Sequence, residues 1–135
     1  MKNRDARRAW SLLLTYADAL NIDIRVIPGK QGCLYYWSLN EKGQRHIDIA
    51  GTYSLSDKVY SLAHELGHHV HQSHLDSEGN MNRREKIGRV AIERYAWRAG
   101  ALLLRLLNIP FNPRSYATTA AECLSGYKKM YGNSY

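Results

Sequence analysis

The run His64-Glu65-Leu66-Gly67-His68 places two histidines four residues apart with a glutamate between them. On a helix, residues at i and i+4 differ by about 40° in azimuth and about 6 Å in height, so both imidazoles can reach one tetrahedral zinc from the same face. Glu65 stands one residue on, close to such a metal but off its ligand axis. There a carboxylate can take a proton from zinc-bound water, which is the position of a general base. The chemistry implied is metal-assisted hydrolysis of a peptide bond. A five-residue pattern also arises on ordinary solvated helices, and the helical wheel separates the two cases. Leu55, Val59, Leu62, Leu66 and Val70 cluster around one direction, whereas His64 and His68 point about 180° away. The apolar side would pack on a sheet and the histidines would face a cleft. Gly67 adds weight, because a glycine inside a helix costs roughly 1 kcal/mol against alanine and calls for a steric reason such as close approach of another helix.

A catalytic zinc takes three protein ligands and a water. Two residues compete for the third place. Glu93 follows His68 on a later helix, with the small residues Ala96 and Gly100 at i+3 and i+7 on its own face. Those would let that helix come close enough for a carboxylate to touch the metal, although an i−4 ion pair with Arg89 would also account for Glu93. His74 is the alternative, since HExxH followed six residues later by His is the metzincin spacing. That pattern wants glycine at position 71, where His71 stands, and glycine alone enters positive-φ turns freely. Glu93 is therefore favoured, and His69 and His71 are read as surface or supporting residues.

These residues have to be held by helices and strands in a definite order. Ala6, Ala9, Trp10, Leu13, Tyr16, Ala17 and Leu20 recur at steps of three and four, which predicts a first helix over 6–20. Alternation in Ile22, Ile24 and Val26, the run from Leu34 to Trp37, and Ile47 with Ile49 predict three strands. Turns at Pro28-Gly29 and from Asn40 to Gly43 join them into an antiparallel meander. Ser54 with Asp57 caps a second helix running to about Val70. A polar loop, Ser73 to Asn82, precedes a long third helix from about Arg83 to Asn108. Asn112-Pro113 starts the last. The order is αβββααα, an α+β, compact zincin-like domain with an N-terminal helix, a three-stranded antiparallel sheet, the HExxH helix and two further helices. The whole chain, 1–135, reads as one domain.

The chain has 135 residues, 44% hydrophobic and 23% charged, which suits a globular domain and sets aside disorder, collagen and coiled coils. No apolar run nears the roughly 20 residues needed to cross a bilayer. Asp5 interrupts the basic N-terminus, so no signal peptide is read. Cys33 and Cys123 stand far apart, which argues against a disulfide framework and fits a reducing, cytoplasmic setting. Net charge is 19 minus 12, or +7. Residues 31–80, which hold the histidine motif, carry three basic and six acidic residues, and residues 81–135 carry ten basic and three acidic. Arg83, Arg84, Arg94, Arg98 and Arg105 form a basic stripe on the third helix. It is read as a solvated face in preference to a nucleic-acid contact. On the last helix Tyr116, Ala120, Cys123 and Tyr127 share a face and read as core, with either tyrosine a candidate to stabilise an oxyanion.

Ala63-His64-Glu65-Leu66-Gly67-His68, followed by Glu93-Arg94-Tyr95-Ala96, resembles the ImmA/IrrE family of small zinc metallopeptidases, with its AHELGH and ExxA signatures. The likeness is clear from about Ser54 to Pro110. It implies that His64, His68 and Glu93 hold Zn2+ and that Glu65 is the catalytic base. Members commonly carry Asp or Asn and then an aromatic after the ExxA alanine, where this chain has Trp97 and Arg98. The resemblance further implies a regulatory protease of bacterial or mobile-element origin that cleaves a specific protein such as a transcriptional repressor. An extended substrate would add to an edge of the small sheet. The competing class is a zinc-stabilised module that binds DNA or a protein and has little peptidase activity, and the presence of Glu65 argues against it. A general protease is disfavoured for want of a propeptide or secretion signal.

Overall fold

Spacing of small and branched apolar residues sets the first helix, α1 (Asn3–Ala19), whose Ala6, Ala9, Leu13 and Ala17 are all buried. The computed structural model describes residues 1–29, 34–36, 39–77 and 88–131. Within them α1 is followed by β1 (Ile22–Ile27), β2 (Leu34–Tyr36), β3 (Arg45–Ala50), α2 (Leu55–Ser77), α3 (Arg89–Leu106) and α4 (Pro113–Tyr131). The architecture is mixed, with four helices and one small sheet among the described residues. No helix among them is long and apolar enough to cross a membrane.

The sheet departs from the expected meander. Its order is β1-β3-β2, with β1 parallel to β3 and β2 antiparallel to it. The β2–β3 hairpin is the part the turn residues specify: the Asn40 side chain accepts from the Lys42 and Gln44 amides at 2.9 Å each, and Gly43 takes φ 73°. β3 then runs between its two neighbours, and four successive residues, Ile47, Asp48, Ile49 and Ala50, are buried. Continuous burial marks a central strand covered on both faces, whereas the sequence alternation of Ile47 and Ile49 with His46 and Asp48 is the same for an edge strand. Asp48 is tolerated there because its register partner on β1, Arg25, donates to it at 3.1 Å. Gly51 closes the parallel pair: its amide donates to the Ile27 carbonyl at 3.0 Å, and a Cβ would crowd that same oxygen.

α2 starts as expected, with the Ser54 hydroxyl accepting from the Asp57 amide at 3.2 Å. It runs seven residues past Val70, to Ser77. Val59 to Gly67 are buried without a break, because α2 is covered on several sides at once: α1 and the sheet pack on it, and α3 packs on it most extensively. α3 begins at Arg89 behind a non-helical Gly88, φ 79°; the expected start at Arg83 falls in residues 78–87, which lie outside the described set. It ends in a left-handed Asn108, φ 54°, with Ile109 donating back to the Leu104 carbonyl at 2.9 Å. Asn112 caps α4, accepting from the Arg114 and Ser115 amides at 2.9 and 3.1 Å.

Candidate metal centre

The seam between α2 and α3 is made of residues that have almost no side chain. A Cβ on Gly67 would run into the Ala96 carbonyl, and one on Gly100 would lie 2.8 Å from the Ala63 carbonyl and 2.6 Å from the Tyr116 hydroxyl. Ala63, Gly67, Ala96 and Gly100 thus allow near backbone-to-backbone contact. Short side chains one turn away can then meet across the seam, and those are His64, His68 and Glu93.

Glu93 Oε2 lies 2.6 Å from His64 Nε2 and 3.2 Å from His68 Nε2, and its other oxygen lies 3.1 Å from His68 Nε2. Glu65 Oε1 stands 3.3 Å from His64 Nδ1, the opposite nitrogen of the same ring. His64, Glu65 and His68 offer donor atoms within 4.8 Å of one another. His64, Glu65 and Glu93 are buried and His68 is half-buried, which makes His68 the most solvent-exposed of the four.

Burial alone would push the His64 imidazole down, but the Glu65 and Glu93 carboxylates outweigh it and raise its pKa to about 9. Burial likewise favours a neutral Glu93, and the hydrogen bonds from His64 and His68 overcome that and hold it far below the usual carboxylate range. Two imidazole nitrogens and one carboxylate are a donor set that suits a divalent ion such as zinc. Around a tetrahedral ion with bonds of 2.0–2.2 Å, donor atoms sit about 3.3 Å apart. The His68–Glu93 pair already has that spacing, and His64 and Glu93 would part by about 0.7 Å. The residues fit a metal.

Other expected participants fall elsewhere. α2 stays helical through position 71, so the sharp exit a His74 ligand requires is not made; the His74 side chain lies outside the described residues. The His71 ring lies against Tyr95, centroids 4.9 Å apart. His69 is half-buried, and burial followed by the nearby Arg45 charge lowers its pKa. Tyr116 is core as expected, with its hydroxyl donating to the Trp97 carbonyl and burial pushing its pKa up. Tyr127 is outside the described side chains. Cys123 is exposed, against the expectation of core. Arg94, Arg98 and Arg105 are exposed as a solvated stripe requires, and Arg83 and Arg84 lie outside the described residues. Trp97 joins the group as a residue the sequence reading did not assign to the site: its indole stacks on His64 with centroids 4.1 Å apart and planes 6° from parallel. The signal for it was its i+4 spacing from Glu93 on the small-residue face of α3.

A sequence model of the peptidase family described as the IrrE N-terminal-like domain matches residues 17–109 of the chain. No curated protein and no solved structure matches it.

Proposed function

The chain belongs to the peptidase family described as the IrrE N-terminal-like domain, and on that premise we propose that it is a zinc-dependent endopeptidase of narrow specificity. In this reading His64, His68 and Glu93 hold the metal and Glu65 is the general base. The observation that carries it is the convergence of both Nε2 atoms on one Glu93 carboxylate with the buried Glu65 alongside. Bound there, zinc supplies Lewis-acid polarisation of a carbonyl and lowers the pKa of a coordinated water to about 7.

Glu65 accepts the proton of the attacking water and returns it to the departing amine nitrogen, so one carboxylate serves both halves of the reaction. Glu93 stays ionised throughout and offsets the positive charge at the site. Burial of the site supports narrow specificity: a substrate has to enter as an extended segment, and β2, an edge strand lying against α2, offers backbone groups to such a segment. A regulatory protein with one exposed flexible segment, such as a transcriptional repressor, is the substrate class that fits.

Glu65→Gln tests this. The change is nearly isosteric, so fold and zinc content should persist while cleavage falls by at least about 10³-fold, given the 10²- to 10⁴-fold a positioned proton transfer contributes and its double use here. Proteins incubated with each form and read by mass spectrometry should show fragments with the wild type only. Equal fragmentation by both forms would remove Glu65 from the mechanism, and equal in vivo function without fragments would favour a zinc-stabilised binding module.

A further inference from the structure

Two ligands one turn apart on α2 face two residues one turn apart on α3: His64 and His68 against Glu93 and Trp97. Glu93 provides a donor atom, but Trp97 has none to give a metal. Its ring nonetheless covers a full face of the His64 imidazole, 4.1 Å away and 6° from parallel. We propose that Trp97 is a positioning residue of the metal centre, its indole fixing the plane of the His64 ring so that Nε2 stays aimed at the point where His68 and Glu93 converge. This rests on the metal-centre reading above.

Histidine needs such a device because its χ2 torsion is broad and roughly two-fold, so an imidazole held only at Cβ both rocks and flips. Two contacts remove the two freedoms separately. Trp97 on the ring face fixes the plane, and Glu65 beside Nδ1 selects which nitrogen points outward. His68, by comparison, meets the His64 ring at 58° with centroids 4.7 Å apart and is more exposed, so it has room to adjust once a metal arrives.

Packing economy alone does not explain the tryptophan. Trp97 is 4% exposed, and its indole N–H is buried with no hydrogen-bond partner among the described residues. An unsatisfied buried donor costs free energy that a phenylalanine would not incur. α4 holds the indole in place all the same: the Tyr116 ring meets it edge-on at 5.3 Å and 74°, and the Tyr116 hydroxyl donates to the Trp97 carbonyl through the space that Gly100 leaves open. A contact from α4 to α3 to His64 is therefore continuous, and it lets the last helix, which offers no ligand, set the orientation of one.

The experiment compares wild type with Trp97→Leu, Trp97→Ala and Trp97→Phe, each confirmed folded by circular dichroism, in zinc titrations against a competing chelator and in Co2+ absorption spectra. Removing the partner that orients a ligating histidine typically costs 10- to 100-fold in metal affinity. Leu and Ala should therefore bind about 10- to 100-fold more weakly with an altered Co2+ spectrum. Phe keeps a ring face and should restore affinity to within about threefold. If Ala does not fold, Leu, which keeps apolar volume without a ring, carries the comparison. In the chelated protein, the His64 ring protons should show an upfield ring-current shift that Leu abolishes and Phe retains. Leu binding as tightly as wild type, or Phe binding as weakly as Leu, would overturn the role of Trp97 and leave the metal centre intact. A wild type that takes up no zinc would instead overturn the metal centre itself, and the positioning role with it.

Discussion

The inward and outward faces of α3 are made from neighbouring residues and behave as different materials. Inward, Glu93, Ala96, Trp97, Gly100, Leu103 and Leu104 are buried against α2 and α4. Outward, Arg94, Arg98 and Arg105 are exposed together with Tyr95 at 44%, Leu102 at 57% and Leu106 at 79%. Leu102 and Leu103 are adjacent and chemically identical, yet one is mostly in water and the other is core, because about 100° of helix azimuth separates them. Composition of a helix thus says little about where its chemistry lies. What distinguishes the inward face is the absence of side-chain bulk, which brings backbones together and makes a short carboxylate long enough.

The sharpest way to break this contrast is to add one methyl group to the seam. Gly67→Ala should cost about 3 kcal/mol or more, since the new Cβ meets backbone that cannot rotate away. Chemical denaturation of the chelated protein measures it, and a loss below about 1 kcal/mol, the range of ordinary surface changes, would mean the helices are not in close contact.

Next comes the ligand set. Glu93→Ala leaves two histidines and should weaken zinc binding by at least about 100-fold and abolish cleavage, given that even the supporting partners of ligands are worth 10- to 100-fold. His74→Ala should be almost silent. Zinc lost in His74→Ala and kept in Glu93→Ala, read by elemental analysis, would reverse the assignment.

A smaller effect is set by pH. The His64 pKa, raised from 6.5 to about 9, means that a proton competes with metal for this imidazole. Metal uptake should therefore strengthen by up to about tenfold per pH unit on going from 6.5 towards 9. The sign for the chelated fold is opposite: the stabilisation from a raised pKa is fully present below 6.5 and is lost as pH rises through about 9, so Tm should fall across that window. Zinc titrations and melting curves at several pH values check both, and a flat pair of profiles would remove the proton from His64.

The smallest effects belong to the outward face. Arg94→Glu with Arg98→Glu, or Leu106→Lys, should change stability by no more than about 0.5 kcal/mol. DNA binding at about 0.15 M salt should be weak in the wild type already. Tight binding abolished by the charge reversals would convert the stripe from a solvated face into a phosphate-contacting surface.

Local signals determined a good deal here. The 3.6-residue period of α1, the Ser54 and Asn112 caps, the hairpin turn at Asn40 and the pairing of His64 with His68 on one helix face all depend on residues within a turn or two of each other, so the chain carries them without any partner. That Gly67 and the Ala96–Gly100 pair have a steric purpose was legible for the same reason, since glycine in a helix is costly wherever the helix sits. Strand order was not legible, because a period of two is identical in parallel and antiparallel neighbours, and only burial of β3 on both faces decides that it is central. Nor was the meeting of Trp97 with His64, or of Tyr116 with the Trp97 carbonyl. Those contacts depend on the axial and rotational register between helices, which is set by how closely three backbones approach, a property of the packed whole that no segment holds alone.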